Sequence, residues 1–166
     1  VNAYFDLSEG EVMLVEDTVN VIEPSSTPSS KSSSIQTLKT TDSTERRLYA
    51  DTLCATLNDW AKRGPWRVSA TITTAQNQGM ALVTLSRSRK ATPASESTAT
   101  DSLDRTIRRI RSALREKRGG LHHLLNLKVF DGAEIHMLKR LELRHWTRIA
   151  ALNNADEIAA AILRPG

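Results

Sequence analysis

The chain has 166 residues, of which 39% are hydrophobic and 25% charged, a composition typical of one soluble domain with a tail. It contains no run of about eighteen apolar residues, and its N-terminal sequence lacks the basic and apolar regions of a secretory signal, so we expect neither a membrane span nor a signal peptide. Cys54 is the only cysteine, which excludes an internal disulfide and favours a reducing, cytoplasmic location.

The net charge of +4 is unevenly distributed along the chain. Residues 1–42 carry two basic and seven acidic side chains, a net charge of −5, so the remainder carries +9. This asymmetry predicts a basic domain behind an acidic arm, and such a domain favours a polyanionic partner. The alternative is a positively biased surface that only keeps the protein soluble.

The first predicted element is a short helix over residues 7–19. Ser8 and Glu11 have the spacing of a capping box, and Leu7 and Val12 that of a hydrophobic staple. A helix this short is unstable alone, so it should pack on the main domain or continue a longer structure. We therefore divide the chain into three parts, which are an acidic helical arm (1–23), a flexible linker rich in Ser, Thr and Pro (24–41) and a basic domain (42–166) with an internal flexible loop (88–100).

Residues 42–63 are predicted to form the first long helix, which Asp42 and Glu45 cap and Gly64-Pro65 ends. Cys54 lies beside its apolar stripe and is interpreted as a buried, inert thiol. The stripe itself consists of Tyr49, Leu53, Leu57 and Trp60.

Two hairpins are predicted from alternating apolar and polar residues. The first joins residues 66–74 to 80–86, and the second joins 124–130 to 133–138 through the turn signal Asp131-Gly132. Because a helix precedes each hairpin, the sequence predicts an α+β fold in which two helix–hairpin units form a four-stranded antiparallel sheet with the helices packed on one face. The C-terminal helix is predicted to be broken at Asn153-Asn154, where Asn154 and Glu157 resemble a new capping box.

Residues 101–120 predict an amphipathic helix with an unusually basic outer face. Leu103, Ile107, Ile110 and Leu114 form its apolar stripe. Arginine binds phosphate through a planar fork of donors, so this face is expected to contact nucleic-acid phosphates; the alternatives are a solvated face or a face that docks on an acidic protein. The basic residues are Arg105, Arg108, Arg109, Arg111, Arg115, Lys117 and Arg118.

A second basic cluster surrounds Trp146. We expect Trp146 to be a core residue with the basic side chains around its edge; the alternative is an exposed Trp that stacks on a nucleobase. The cluster adds four predicted nucleic-acid-binding residues, which are Lys139, Arg140, Arg144 and Arg148, and it also contains His145.

No catalytic residue, metal ligand or cofactor is predicted. The histidines His122, His123, His136 and His145 lack ligand spacing and have no cysteine beside them. The chain has neither a Gly-rich phosphate loop nor a Ser-centred elbow. An independent small enzyme remains an alternative only if its site is assembled in space from distant residues.

Two stretches resemble known bacterial proteins. The segment YFDLSEGEVMLVEDT (4–18) resembles the region that follows the catalytic domain in large bacterial adenine-specific DNA methyltransferases of restriction-modification and phage-defence systems; the matching residues are Tyr4, Leu7, Ser8, Glu11, Val12, Leu14, Val15 and Glu16. The segment LKVFDGAEIHMLKRLELRHWTRIAALNNADEIAAAI (127–162) is similar to the tail of comparably large bacterial proteins.

The resemblance implies a linker and a non-catalytic accessory domain that lie downstream of a methyltransferase domain and help to grip DNA. From the arginine pattern, we expect the basic helix to be the surface that engages duplex DNA. The glycine-rich cofactor loop of the methyltransferases and their Asn/Asp-Pro-Pro-Tyr/Phe motif are both absent from this sequence. The alternative function is a protein–protein interaction domain whose basic helix docks an acidic partner, for which the acidic arm (1–23) of the same or a second chain is one candidate.

Overall fold

A computed structural model describes residues 6–26, 35–75, 79–98, 105, 108 and 127–163. The chain forms two compact units, which we call the helical unit (Val1–Asp59 and Glu142–Gly166) and the sheet unit (Trp60–Leu141). The predicted α+β class is confirmed. The helices are α1 (Glu9–Asp17), α2 (Glu23–Ser26), α3 (Ser43–Trp60) and α4 (Arg148–Leu163), and the strands are β1 (Arg67–Ala75), β2 (Met80–Ser88), β3 (Ser95–Ser97), β4 (Leu127–Asp131) and β5 (Glu134–Arg140).

Helix α1 begins at the predicted capping box. The Glu11 carboxylate accepts a hydrogen bond from the Ser8 amide at 2.8 Å, and the Glu11 amide donates one to the Ser8 hydroxyl oxygen at 3.4 Å. The Ser8 hydroxyl also donates to the carboxylate, and these bonds lower the pKa of Glu11. The helical path then continues through a π-helical turn (Thr18–Ile22) into α2, so it is longer than the sequence predicted.

Parts of the predicted flexible linker (24–41) have defined structure. Residues 24–26 belong to α2, and Gln36–Leu38 form a 3-10 helix. The Thr37 amide donates to the Ser25 hydroxyl oxygen at 2.9 Å, and the Leu143 amide donates to the Lys39 carbonyl at 2.8 Å. The low-complexity sequence does not indicate these bonds; residues 27–34 lie outside the described part of the chain.

Helix α3 is capped as predicted. The Glu45 amide donates to the Asp42 carboxylate at 2.9 Å, and the Asp42 amide donates to the Glu45 carboxylate at 2.8 Å. The buried stripe is confirmed except at its end, because Trp60 is the last residue of the helix and is 50% exposed. Cys54 is buried, and this burial, with a smaller contribution from Asp51, raises the pKa of the thiol to about 12.

Helix α4 is continuous, so the predicted break at Asn153-Asn154 is wrong. Asn154 is buried, and its side-chain oxygen accepts a hydrogen bond from the Tyr49 hydroxyl at 2.6 Å instead of capping a new helix. The Tyr49 ring also meets Trp146 edge to face, with 5.2 Å between ring centroids. Tyr49, Trp146 and Asn154 therefore form the centre of the helical unit's core.

The sheet has five strands in the order β3-β1-β2-β5-β4. Four of them form an antiparallel arrangement from the two predicted hairpins, which β2 and β5 join. The second turn consists of Gly132-Ala133, one residue later than predicted, because Asp131 pairs with Glu134. Gly132 has φ +60°, and a glycine with positive φ at the first turn position is typical of a type II′ hairpin.

The fifth strand, β3, corrects the prediction of four antiparallel strands; it lies within residues 88–100, which the sequence predicts to be a loop. Strand β3 pairs with β1 in parallel. The hydroxyl oxygens of Thr71 and Ser95 lie 3.3 Å apart, within hydrogen-bonding distance. Short polar strands such as β3 do not have the alternating apolar pattern by which strands are recognised, so the sequence did not indicate it.

One side of the sheet is buried at its centre. Ile72, Val83 and Met137 are neighbours across β1, β2 and β5, and each is at most 1% exposed. Because side chains alternate along a strand, the next residues face the other side, where Thr84 and His136 pair.

Candidate nucleic-acid interface

The predicted basic helix is described at two positions. Arg105 and Arg108 are both helical and both exposed. Residues three apart in a helix lie on the same side, so the two guanidinium groups share one surface. Arg109, Arg111, Arg115, Lys117 and Arg118 lie outside the described residues, so the full extent of this helix remains a prediction.

Lys139 is not placed to contact nucleic acid. The residue lies on β5 and is only 2% exposed. It pairs with Ala81 and shares the buried side of the sheet with Met137, two residues earlier. Strand alternation therefore turns this lysine inward, and the prediction that it contacts a phosphate is wrong.

The other members of the cluster around Trp146 differ in their surroundings. Arg140 is exposed. Arg144 pairs with Glu142 at 2.5 Å, while Arg148 pairs with Glu16 and lies 3.9 Å from Asp17. A phosphate would have to compete with these carboxylates for the two guanidinium groups. Arg144 and Arg148 are therefore weaker candidates for a phosphate contact. Trp146 is 2% exposed, so it is a core Trp, as expected, and it offers no exposed face for a nucleobase to stack on.

A basic surface that we did not predict lies on the first hairpin. Residues 60–95 contain six basic residues and no acidic one, a net charge of +6. The excess of basic residues is visible in the sequence, but they form two groups, one at residues 62–67 and one at residues 87–90. Most of β1 and β2 lies between these two groups. The hairpin brings the two groups together, because Arg67 pairs with Ser88 and Val68 with Arg87.

Trp66 is the centre of this surface. Its ring lies 4.6 Å from the Arg87 guanidinium carbon and 5.2 Å from that of Arg89, both within the range of a cation–π interaction. The three residues, which we call the Trp66 cluster, are all exposed, Trp66 to 39%. Trp66 therefore has a surface role rather than a role in the core.

The turn that carries Trp66 is held by Arg67. The Arg67 guanidinium donates to the carbonyls of Trp66 at 2.7 Å and of Gly64 at 2.9 Å, with longer bonds to those of Ala61 and Lys62. One side chain thus satisfies several backbone acceptors of the turn. Trp66 consequently projects from a fixed turn rather than from a free loop.

The chain after β2, which carries Arg89, is also tied down. The Ser88 hydroxyl donates to the Lys90 carbonyl at 2.5 Å, and the Thr92 amide donates to the Ser69 hydroxyl oxygen at 3.0 Å. These bonds restrain the segment on both sides of Arg89. Arg87 lies on β2 and Arg89 lies on this restrained segment. The backbone that carries both guanidinium groups of the Trp66 cluster is therefore held in place.

The electrostatics of the cluster favour an anion. In the part of the chain that the structure describes, no carboxylate forms an ion pair with Arg87 or Arg89, in contrast to Arg144 and Arg148. A guanidinium that stacks on a ring keeps its N–H donors directed outward in its own plane. The arrangement is suited to binding the oxygens of a phosphate or carboxylate.

The opposite side of the sheet carries a polar network rather than a metal site. His136 Nδ1 lies 3.2 Å from the Thr84 hydroxyl oxygen, and its Nε2 lies 3.5 Å from the Glu134 carboxylate, which accepts a hydrogen bond from Ser86 at 3.2 Å. Among the described residues, no three His, Cys, Asp or Glu side chains are grouped so as to hold a metal ion. The network links β2 to β5 as cross-strand pairs do.

Comparison with protein-family models, with curated proteins and with solved structures found no match to this chain. None of the helices within the described ranges has the length and apolar character needed to cross a membrane.

Proposed function

We propose that this chain is a non-catalytic accessory domain that engages duplex DNA through the basic helix (residues 101–120). An accessory domain that grips DNA is what the resemblance to the region downstream of adenine-specific DNA methyltransferases implies. The observation that carries the proposal is that Arg105 and Arg108 are helical, exposed and on one side of their helix. In the proposed assembly, an upstream catalytic domain methylates adenine and this chain contributes affinity for DNA.

The expected mode of binding is neutralisation of backbone phosphates. Arginines on a helix contact phosphates without reading bases, so affinity should depend strongly on salt and weakly on sequence. Arg140 is exposed and is a further candidate for such a contact.

Substitution of Arg105 and Arg108 by Ala tests the proposal. Affinity for duplex DNA should fall for all sequences about equally, and the salt slope should fall by about 0.9 for each phosphate that is no longer neutralised. A control with Lys39→Ala and Arg47→Ala removes the same charge from exposed positions of the helical unit. Equal reductions in both variants would show a response to net charge alone, and the basic helix would not be the binding site.

The alternative is that the basic helix docks an acidic protein surface. The acidic arm does pair with an arginine outside the basic helix, since Glu16 and Asp17 contact Arg148 of α4, and the alternative extends this kind of contact to the basic helix. If this alternative holds, soluble polyglutamate should bind as tightly as DNA of similar charge and should compete with it. Discrimination in favour of DNA would support the proposed function instead.

A further inference from the structure

We propose that the Trp66 cluster is a second phosphate-binding site, which grips the sugar–phosphate backbone of a nucleic acid independently of the basic helix. The inference rests on the proposed function only for the class of partner. Its residues, Trp66, Arg87 and Arg89, belong to the first hairpin, and none of them is part of the basic helix.

The two guanidinium groups of the Trp66 cluster are preorganised for binding. Arg87 and Arg89 lie two residues apart and carry like charges, which would favour their separation in a free chain. The Trp66 ring holds both within 5.2 Å of its centre, so two cations converge on one surface before any ligand arrives. Side chains that are already held lose less conformational entropy on binding.

The backbone that carries the Trp66 cluster is rigidly held. Arg67 fixes the turn before β1, and the pairing of Val68 with Arg87 fixes the strand that carries the first guanidinium. The Thr92–Ser69 bond restrains the chain beyond Arg89. A site on paired strands retains its geometry better than one on a free loop.

The charge of the sequence around the Trp66 cluster matches a polyanion. No acidic residue occurs between residues 60 and 95, so nothing in this stretch of sequence competes for the two guanidinium groups. The remaining basic residues extend the positive charge beyond the cluster; they are Lys62, Arg63, Arg67 and Lys90. A chain of regularly spaced phosphates matches such a surface better than a single anion does.

The Trp66 ring is better suited to positioning the two arginines than to stacking on a base. A nucleobase stacks on an aromatic face that is free to receive it. Here, Arg87 and Arg89 already lie over the Trp66 ring. The ring therefore orients two phosphate-binding groups, and it acts as a positioning residue rather than as a platform for a base.

The test uses the full chain, a short mixed-sequence DNA duplex as the probe and fluorescence anisotropy over a range of salt concentrations. The variant R87Q/R89Q should bind about tenfold more weakly, and its salt slope should be lower by about 1.8, because two phosphates are no longer neutralised. A variant with Lys39→Gln and Arg47→Gln removes the same charge from exposed positions of the helical unit and should retain both values. Circular dichroism and thermal unfolding establish that each variant is folded.

Two charge-conserving variants test the geometry. R87K/R89K keeps the net charge but does not have the planar fork, and W66L keeps both arginines but removes the ring that holds them. Each should weaken binding several-fold. Wild-type affinity in R87K/R89K would mean that only charge matters, and it would overturn the proposed site.

The remaining outcomes distinguish this inference from the proposed function. If R87Q/R89Q binds as the wild type does while R105Q/R108Q is weakened, the Trp66 cluster is not a site and the basic helix stands. If R87Q/R89Q is weakened while R105Q/R108Q binds as the wild type does, the Trp66 cluster is a binding site and the basic helix is not. If the single strand binds more tightly than the duplex and only W66L abolishes this difference, Trp66 stacks on bases and the phosphate site is wrong. If polyglutamate binds as tightly as DNA, the partner is an acidic protein and not a nucleic acid.

Discussion

The Tyr49 hydroxyl donates a hydrogen bond of 2.6 Å to the side-chain oxygen of Asn154, a residue 105 positions further along the chain. Both residues are buried, Tyr49 completely. The bond ties α3 to α4 inside the helical unit and explains why an asparagine with the sequence context of a helix cap lies instead within a continuous helix.

Removal of this hydroxyl should destabilise the helical unit. We expect Tyr49→Phe to lower the free energy of unfolding by about 1–3 kcal/mol, because a buried acceptor is deprived of its donor. Asn154→Ala should do the same, and a double-mutant cycle by urea unfolding should give a coupling energy of at least about 0.5 kcal/mol. Additive effects would show that the two side chains do not stabilise each other.

Asp17 acts as a tertiary cap of α4. Its carboxylate accepts a hydrogen bond of 2.8 Å from the Ile149 amide, and the Thr147 hydroxyl oxygen accepts one of 3.1 Å from the Ala150 amide. Asp17→Ala should lower the free energy of unfolding by about 1–2 kcal/mol, since it leaves an amide without its acceptor and removes a favourable charge from the helix N-terminus. Asp156→Ala, at an exposed position of α4, is the matched control, and an equal destabilisation there would argue against the cap.

Two glycines should respond to alanine with opposite signs. Gly132 has φ +60°, so Gly132→Ala should cost about 1–2 kcal/mol of stability through backbone strain alone, as no atom lies within 4 Å of the added Cβ. Gly10 lies in α1 with equally open space, so Gly10→Ala should raise stability by up to about 1 kcal/mol. Thermal unfolding monitored by circular dichroism measures both, and a neutral Gly132→Ala would refute the turn assignment.

Burial of Cys54 predicts a pH dependence of stability. The pKa of the thiol is raised from 9.0 to about 12 in the folded chain, so between these values the unfolded state releases a proton that the folded state retains. The free energy of unfolding should therefore fall as pH rises above about 9, by at most about 1.4 kcal/mol per pH unit from this group. Cys54→Ala removes this contribution, so its stability should fall less steeply between pH 8 and pH 10. Parallel curves for the two proteins would contradict the prediction.

The local elements were predictable because their signals are local. The capping pairs Ser8–Glu11 and Asp42–Glu45 are complete within four residues, and both hairpins follow from alternation and turn residues. The parallel pairing of β3 was not predictable, because its three residues carry no pattern of their own.

The candidate site was less predictable because its geometry depends on interactions between distant residues. In the sequence, Lys139 resembles one more surface cation, yet strand alternation places it on the buried side of the sheet. Trp66 resembles a core aromatic, yet it lies at the surface under Arg87 and Arg89, which are more than 20 residues away in the chain. Pairing of β1 with β2 is what brings them together, and single-residue hydrophobicity carries no information about it.

The affinity of the chain for duplex DNA, measured at several salt concentrations, decides whether the chain binds DNA through its phosphates. If the chain holds DNA by its phosphates, the logarithm of the association constant should fall linearly with the logarithm of the salt concentration, with a slope of several, near 0.9 for each phosphate neutralised. Absence of binding at low salt would contradict the account and would favour an acidic protein as the partner.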